Sequence, residues 1–264
     1  MKAVFMGKCK RSSARALDWL VEQGCELAAV VASEPDRFTV EEQRLDLVAE
    51  RHGLPLVSDD DLYDAIADPA GSPLDLDGVD VVISFLFWKR LREPLISLGG
   101  LGCLNFHPAP LPDMRGVGGY NVAVLEGFAE WGVSCHFVDE AFDTGDLVAV
   151  ERFPIDARTA TALSLDVESQ ERLLALFRDV LGRALAGEEL PRSPQGEGRY
   201  VSREELEELR RVRPGDDVGR KLRAFWYPPW PGATMEVEGA ELTLVNETLL
   251  SELAHVYRQA GQVP

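Results

Sequence analysis

The chain has 264 residues, enough to bury a sizeable core in one large domain with a small appendage. Lys plus Arg total 27 against 45 Asp plus Glu, a net charge of -18, which argues against a broad basic surface for nucleic acid. No apolar run reaches membrane-spanning length, and the N-terminus enters a strand without a signal-peptide core, so the expected compartment is the cytoplasm.

In chain order, Ala3 to Met6 reads as a buried strand and Ser13 to Glu22 as an amphipathic helix. Leu27 to Ala32 is a second strand, Glu41 to Arg51 a second helix and Leu56-Val57 a short strand. Asp60 to Ile66 is a helix capped by Ser58 or Asp59. Val79 to Phe85 and Gly102 to Phe106 are further strands. This alternation predicts a mostly parallel sheet with helices on both faces, whose ligands bind beyond the carboxyl ends of the strands. Asn121 to Phe128 reads as helical, Val133 to Val138 and Leu147 to Phe153 as strands, and Ala162 to Leu185 as a long helix. Pro191 to Gly198 has the composition of a linker. Beyond it come a charged helix, Arg203 to Arg211, and Val218 to Phe225. Two strands around Glu238-Gly239-Ala240 suggest a hairpin, and a last helix starts near Leu249.

Four cysteines show no CxxC spacing. Cys25, Cys103 and Cys135 read as small buried hydrophobes, and Cys9 as a residue of a polar loop.

The chemistry concentrates in two stretches. Asn105 and His107 alternate at a strand end, so their side chains share a face, and Asp143 follows in the turn Asp143-Thr144-Gly145-Asp146. An amide that holds a carbonyl, an imidazole that stabilises an oxyanion and a carboxylate that takes a proton are what acyl transfer to an amine needs. Each residue also has a plainer reading: Asn105 as a loop cap, His107 as a satisfied buried histidine, Asp143 as an Asx-turn. The prolines Pro108, Pro110 and Pro112 stiffen the exit from the strand and hold His107 extended, which suits a site and equally a surface loop.

The run from Asn105 through Arg115-Gly116, with Gly119-Tyr120-Asn121, Asp139-Glu140 and Asp143-Thr144-Gly145, resembles the folate-dependent formyltransferase superfamily. Gly118 to Ala123 and Tyr227-Pro228-Pro229-Trp230-Pro231-Gly232-Ala233 most resemble its sugar N-formyltransferases. The resemblance covers residues 1 to about 190 and, more loosely, the tail. It implies a Rossmann-like α/β catalytic domain over 1–190 and a small C-terminal α+β domain with a hairpin over 199–264. By position, Asn105, His107 and Asp143 match the catalytic trio. The implied donor is 10-formyltetrahydrofolate, its pterin held by main-chain groups of Phe85, Leu86, Phe87 and Trp88 and of Val138, Asp139 and Asp143. For Trp88 a core role weighs evenly against a pocket wall. No metal is implied.

The implied acceptor is the amine of a nucleotide-linked deoxy amino sugar of the kind that feeds surface polysaccharides such as lipopolysaccharide. The loop Gly7 to Ser13 lacks both GxGxxG and P-loop patterns, yet Lys8, Lys10 and Arg11 at a helix start suit a substrate phosphate; a solvated loop is the competing reading. Tyr120 and Asn121 are candidates to line the sugar pocket and Trp226 or Tyr227 to stack a base, with core packing the alternative. His136 and His52 read as structural, and His255 carries no signal. Asp139, Glu140 and Asp146 read as turn caps or solvated residues. Methionyl-tRNA formyltransferase is the chief rival, disfavoured by the Glu-rich tail. Glycinamide ribonucleotide formyltransferase would lack the Tyr227-to-Ala233 region, and a formyltetrahydrofolate hydrolase would carry a domain ahead of the first strand. An inactive folate-binding module is the alternative from another class. A homodimer, with the apolar tail available to serve it, is plausible for such a family.

Overall fold

Aromatic side chains organise the sheet. In a computed structural model describing residues 1–36 and 38–259 (side chains to 254), Phe5, Phe85 and Phe106 lie on one face of three adjacent strands, all fully buried. Phe177 packs against them edge-on, with ring centroids 4.9 Å from Phe106 and 5.4 Å from Phe85, and Trp19 closes on it at 5.7 Å. Burying such rings supplies roughly 2–3 kcal/mol apiece and, because strand side chains alternate, dictates what the opposite face carries.

The strands are β1 (Lys2–Gly7), β2 (Glu26–Ala32), β3 (Leu56–Val57), β4 (Val81–Phe85), β5 (Cys103–His107), β6 (Met114–Gly116), β7 (Glu130–Phe137) and β8 (Leu147–Pro154). All but β6 join one seven-stranded sheet in the order β3-β2-β1-β4-β5-β7-β8. The pairs from β3 to β5 are parallel, and β5 runs antiparallel to β7. Between these strands lie α1 (Arg11–Glu22), α2 (Leu45–Arg51), α3 (Asp59–Ala67) and α4 (Gly119–Glu126), and after them the 24-residue α5 (Ala162–Leu185). Ser58 caps α3, its hydroxyl accepting from the Asp61 amide at 3.0 Å. The helix expected over 41–51 divides: Glu41–Gln43 is a 3-10 turn, and extended Arg44 restarts the chain as α2.

The chain separates into two compact units. The first holds Met1–Pro112, Gly132–Glu151 and Gln170–Glu197; the second holds Asp113–Trp131, Arg152–Ser169 and Gly198–Pro264. In the second, β6 pairs in parallel with β9 (Arg199–Val201), two short strands not foreseen from their sequence. There α6 (Arg203–Arg210) begins under the Ser202 cap, and α7 (Val218–Ala224) packs on α4. The hairpin β10 (Thr234–Val237) and β11 (Ala240–Thr243) turns on Glu238 (φ 51°) and Gly239 (φ 80°), the two left-handed residues a tight hairpin turn requires. The last helix, α8 (Glu247–Gln259), starts two residues before the expected point, and the His255 side chain falls outside the described residues.

Cys25, Cys103 and Cys135 are buried, and burial pushes their thiols up from the ordinary range. Cys9 departs from expectation: it too is buried, its amide donating to the Ser33 hydroxyl at 2.8 Å and its thiol to the Ser33 carbonyl. No described helix is long and apolar enough to cross a membrane.

Candidate active site

Because Leu104 and Phe106 face the aromatic core, Asn105 and His107 emerge on the opposite face at the carboxyl edge of the sheet. Register then builds a polar row across three strands. Ser84 of β4 stands beside Asn105, and His136 of β7 stands directly across from it. The Ser84 hydroxyl donates to Asn105 Oδ1 at 2.7 Å, and Asn105 Nδ2 lies 3.0 Å from His136 Nε2. His136 Nδ1 is 2.7 Å from the Phe137 carbonyl, which only accepts, so Nδ1 carries the proton and Nε2 accepts from the amide. One Asn105 N–H is thereby committed to His136.

His107 and Asp143 meet: Nδ1 is 3.5 Å from a carboxylate oxygen, with the two side chains 13% and 11% exposed. The same oxygen is 3.8 Å from His136 Nε2. Asn105 and His107 of β5 thus gather with Asp143, which lies on a separate turn well beyond them in the chain. His136, read as structural, belongs to the same cluster. The signal for it was its register opposite Asn105, which becomes visible only once β5 and β7 are paired.

Asp143 reaches this point on a strained turn. Its φ is 57°, a left-handed conformation that Asp tolerates better than most residues. The Asp139 carboxylate holds the turn from inside, accepting from the Thr144 hydroxyl at 2.7 Å and from the Ala141 amide at 3.1 Å. Gly145 lies so close to the Phe137 carbonyl that a Cβ would sit 2.0 Å from its oxygen. The Asp146 main-chain carbonyl accepts from the Phe137 amide at the far end of the turn.

The loop after β4 carries a second left-handed residue, Leu86 (φ 56°), whose amide donates to the Phe106 carbonyl. Phe85 turns its ring into the core, while Phe87 and Trp88 pair at 4.6 Å and Trp88 is 42% exposed, a rim residue rather than a core one. The Arg90 guanidinium donates to the Glu140 carbonyl, tying this loop to the one that bears Asp143. The Val138 amide is used by the Cys103 carbonyl.

After β1, Lys8 and Arg11 are exposed, Lys10 is half-buried in the cap position of α1, and Arg11 pairs with Glu42. In the second unit, Asn121 donates to the Ala224 carbonyl at 2.8 Å, and the Tyr120 ring packs against Trp131. The Tyr120 hydroxyl is sealed near Asp166, and Trp226 is buried. Tyr120 and Asn121 are half-buried, in contact with neighbouring protein groups. Tyr227 donates to the Asp166 carboxylate at 2.5 Å, and burial pushes both tyrosines far above their usual range. His52 is bound to Asp18 at 2.8 Å, in keeping with a structural role. Among the described residues no group of His, Cys, Asp and Glu gathers as a metal site would require.

A sheet edge that gathers an amide, imidazoles and a carboxylate holds the groups that an acyl-transfer class of enzyme uses. Residues 22–179 match the family model described as formyl transferase, and the chain belongs to that family and is an N-formyltransferase. It is 30% identical over 262 residues to the methionyl-tRNA formyltransferase of Sphingopyxis alaskensis, covering 97% of this chain and 81% of that one. A 4-N formyltransferase from Francisella tularensis has a similar fold, with a TM-score of 0.73 at 18% identity, over 93% of this chain and 97% of the other. So has the N-formyltransferase of Helicobacter canadensis solved with folinic acid and dTDP-3-aminofucose, with a TM-score of 0.69 at 17% identity, over 94% of this chain and 89% of that one.

Proposed function

We propose that the chain transfers a formyl group from 10-formyltetrahydrofolate to the primary amine of a nucleotide-linked amino sugar. The observation that carries the transfer chemistry is the convergence of Asn105, His107 and Asp143 within the His136-anchored cluster. His107, with Nδ1 turned toward Asp143, presents Nε2 to the formyl oxygen, and the remaining Asn105 N–H donates to the same oxygen as negative charge builds there. Asp143 takes the proton from the amine nitrogen as it bonds to the formyl carbon, directly or through one water; the bond from that carbon to the folate nitrogen then breaks and the nitrogen regains a proton. The pterin would lie against the main chain around Leu86 and Val138 to Asp143, beside Trp88, with the Leu86 and Val138 amides themselves already given to the Phe106 and Cys103 carbonyls.

Two features support a sugar acceptor over tRNA. A charge of -18 disfavours a polyanion, and the cations of the tail are largely spent on carboxylates: Arg199 on Glu126 and Glu205, Arg211 and Arg213 on Glu208, Lys221 on Asp216. The Helicobacter enzyme, with its dTDP-3-aminofucose, points the same way. The identity to methionyl-tRNA formyltransferases favours the other acceptor, so both belong in the test. Tetrahydrofolate release is measured with 10-formyltetrahydrofolate and a panel of dTDP-amino sugars beside methionyl-tRNA. Turnover at least about 100-fold higher with one sugar is expected; preference for methionyl-tRNA sinks the acceptor assignment. Asp143→Asn and His107→Asn should each lower kcat by about 10²–10⁴ with the fold intact by circular dichroism. Reversing Lys10 and Arg11 to Glu should raise the acceptor KM and leave folate affinity unchanged, if these cations hold its phosphates.

A further inference from the structure

The segment read as a linker, Pro191 to Gly198, is instead laid along the edge of the catalytic turn. Leu147 and Ser193 exchange both backbone hydrogen bonds, at 2.8 and 3.0 Å, as an isolated antiparallel bridge. Antiparallel register then places position 195 opposite position 145. There the Gln195 side-chain amide donates to the Gly145 carbonyl at 2.6 Å. One residue before the bridge, the Arg192 guanidinium stacks on the Phe137 ring at 3.4 Å, and the Phe137 carbonyl is the group that presses on Gly145. A strap is therefore fixed at three successive points around the residue that follows Asp143 and Thr144.

We propose that Gln195 is a positioning residue for formyl transfer, its amide locking the Gly145 carbonyl so that the left-handed Asp143 keeps its carboxylate on His107. This rests on the reading of Asp143 as the proton acceptor. Asp139 restrains the turn from within residues 137–146 and Arg90 holds its start at the Glu140 carbonyl; the contact from Gln195 arrives from 50 residues further along the chain and acts on its far side, at Gly145. A left-handed aspartate persists only where its surroundings over-determine it, and the side-chain amide adds a constraint on the side of the turn that follows Asp143. Displacements of about 1 Å at a reacting group cost on the order of 100-fold in rate, so a contact remote from the substrate acts on kcat rather than on binding.

The test compares Gln195→Ala and Gln195→Glu with the wild type, using the most active acceptor of the panel above. Glu keeps the shape but replaces the donor with an acceptor facing a carbonyl oxygen. Both variants should lose about ten-fold or more in kcat, with KM for donor and acceptor within about two-fold of wild type. The acid limb of the kcat–pH profile should shift, and the melting temperature should hold within a few degrees. Wild-type kcat in the Glu variant, a change confined to KM, or a loss of kcat that follows the loss of folded protein would each overturn the proposal. Asp143→Asn separates the two levels. If it is impaired while both Gln195 variants turn over normally, only the strap fails; if it retains wild-type kcat, the role of Asp143 fails and the strap's with it.

Discussion

Asn105 and His107 on the one hand, and Asp143 on the other, reach the same point by opposite means. The first pair sits on a strand whose alternate residues are buried against Phe177, so the core that stabilises the sheet also aims the side chains. Asp143 sits on a turn with a left-handed backbone, placed by the Asp139 carboxylate, a tight approach of Gly145 to a carbonyl, and a strap from a distant segment. In the strand, stability and geometry share one cause; in the turn they are separable. Substitutions should therefore sort into those that cost folding and those that cost turnover.

The largest effect expected is Phe177→Ala. Removing the ring from beneath Phe5, Phe85 and Phe106 should cost about 3–5 kcal/mol in denaturant unfolding. Well below its melting point the variant should keep kcat within about three-fold, since backbone register still aims Asn105 and His107. A large loss of kcat at full folding would break the comparison. Gly145→Ala should show the reverse. Its methyl group meets the Phe137 carbonyl, the turn must shift, and kcat should fall about 100-fold with a melting temperature changed far less. A variant with normal turnover would show that the turn tolerates displacement.

A smaller effect sharpens the comparison through pH. Burial raises the thiols of Cys103 and Cys135 and the phenols of Tyr120 and Tyr227, the last two aided by Asp166. A raised value in the folded state lends stability that is complete below the unfolded value, about 8.5 for Cys and 10 for Tyr, and is lost as pH climbs above it. Each group should then subtract about 1.4 kcal/mol per pH unit. Denaturant unfolding at pH 7, 9 and 10.5 should show a decline beginning near 8.5 and steepening beyond 10. A flat response would mean that these groups ionise freely in the native state.

This division also explains what was legible in the residues themselves. The strands of the seven-stranded sheet, the long α5 and the pairing of Asn105 with His107 on one face follow from periodicity, a local property. The structure departs from local reading wherever a partner lies far along the chain. His136 needed β7 set against β5, Cys9 needed Ser33 to bond its amide and thiol, and β6 needed β9 for its ladder. Residues 191–198 have the composition of a connector because their bonds run to Leu147 and Gly145, and nothing within the segment announces those partners. Tyr120, Asn121 and Trp226 stand out in the sequence by residue type alone, and their contacts to Trp131 and Ala224 and the burial of Trp226 become visible only in the fold.

The second unit is assembled from three separate stretches, with β9 laid on β6 and α7 on α4. A single protease nick between Glu197 and Gly198 would thus leave each fragment holding part of one folded body. The cleaved protein should run as two bands under denaturing electrophoresis while eluting as one species from a sizing column, and the tail cannot be exchanged between relatives as a self-contained cassette.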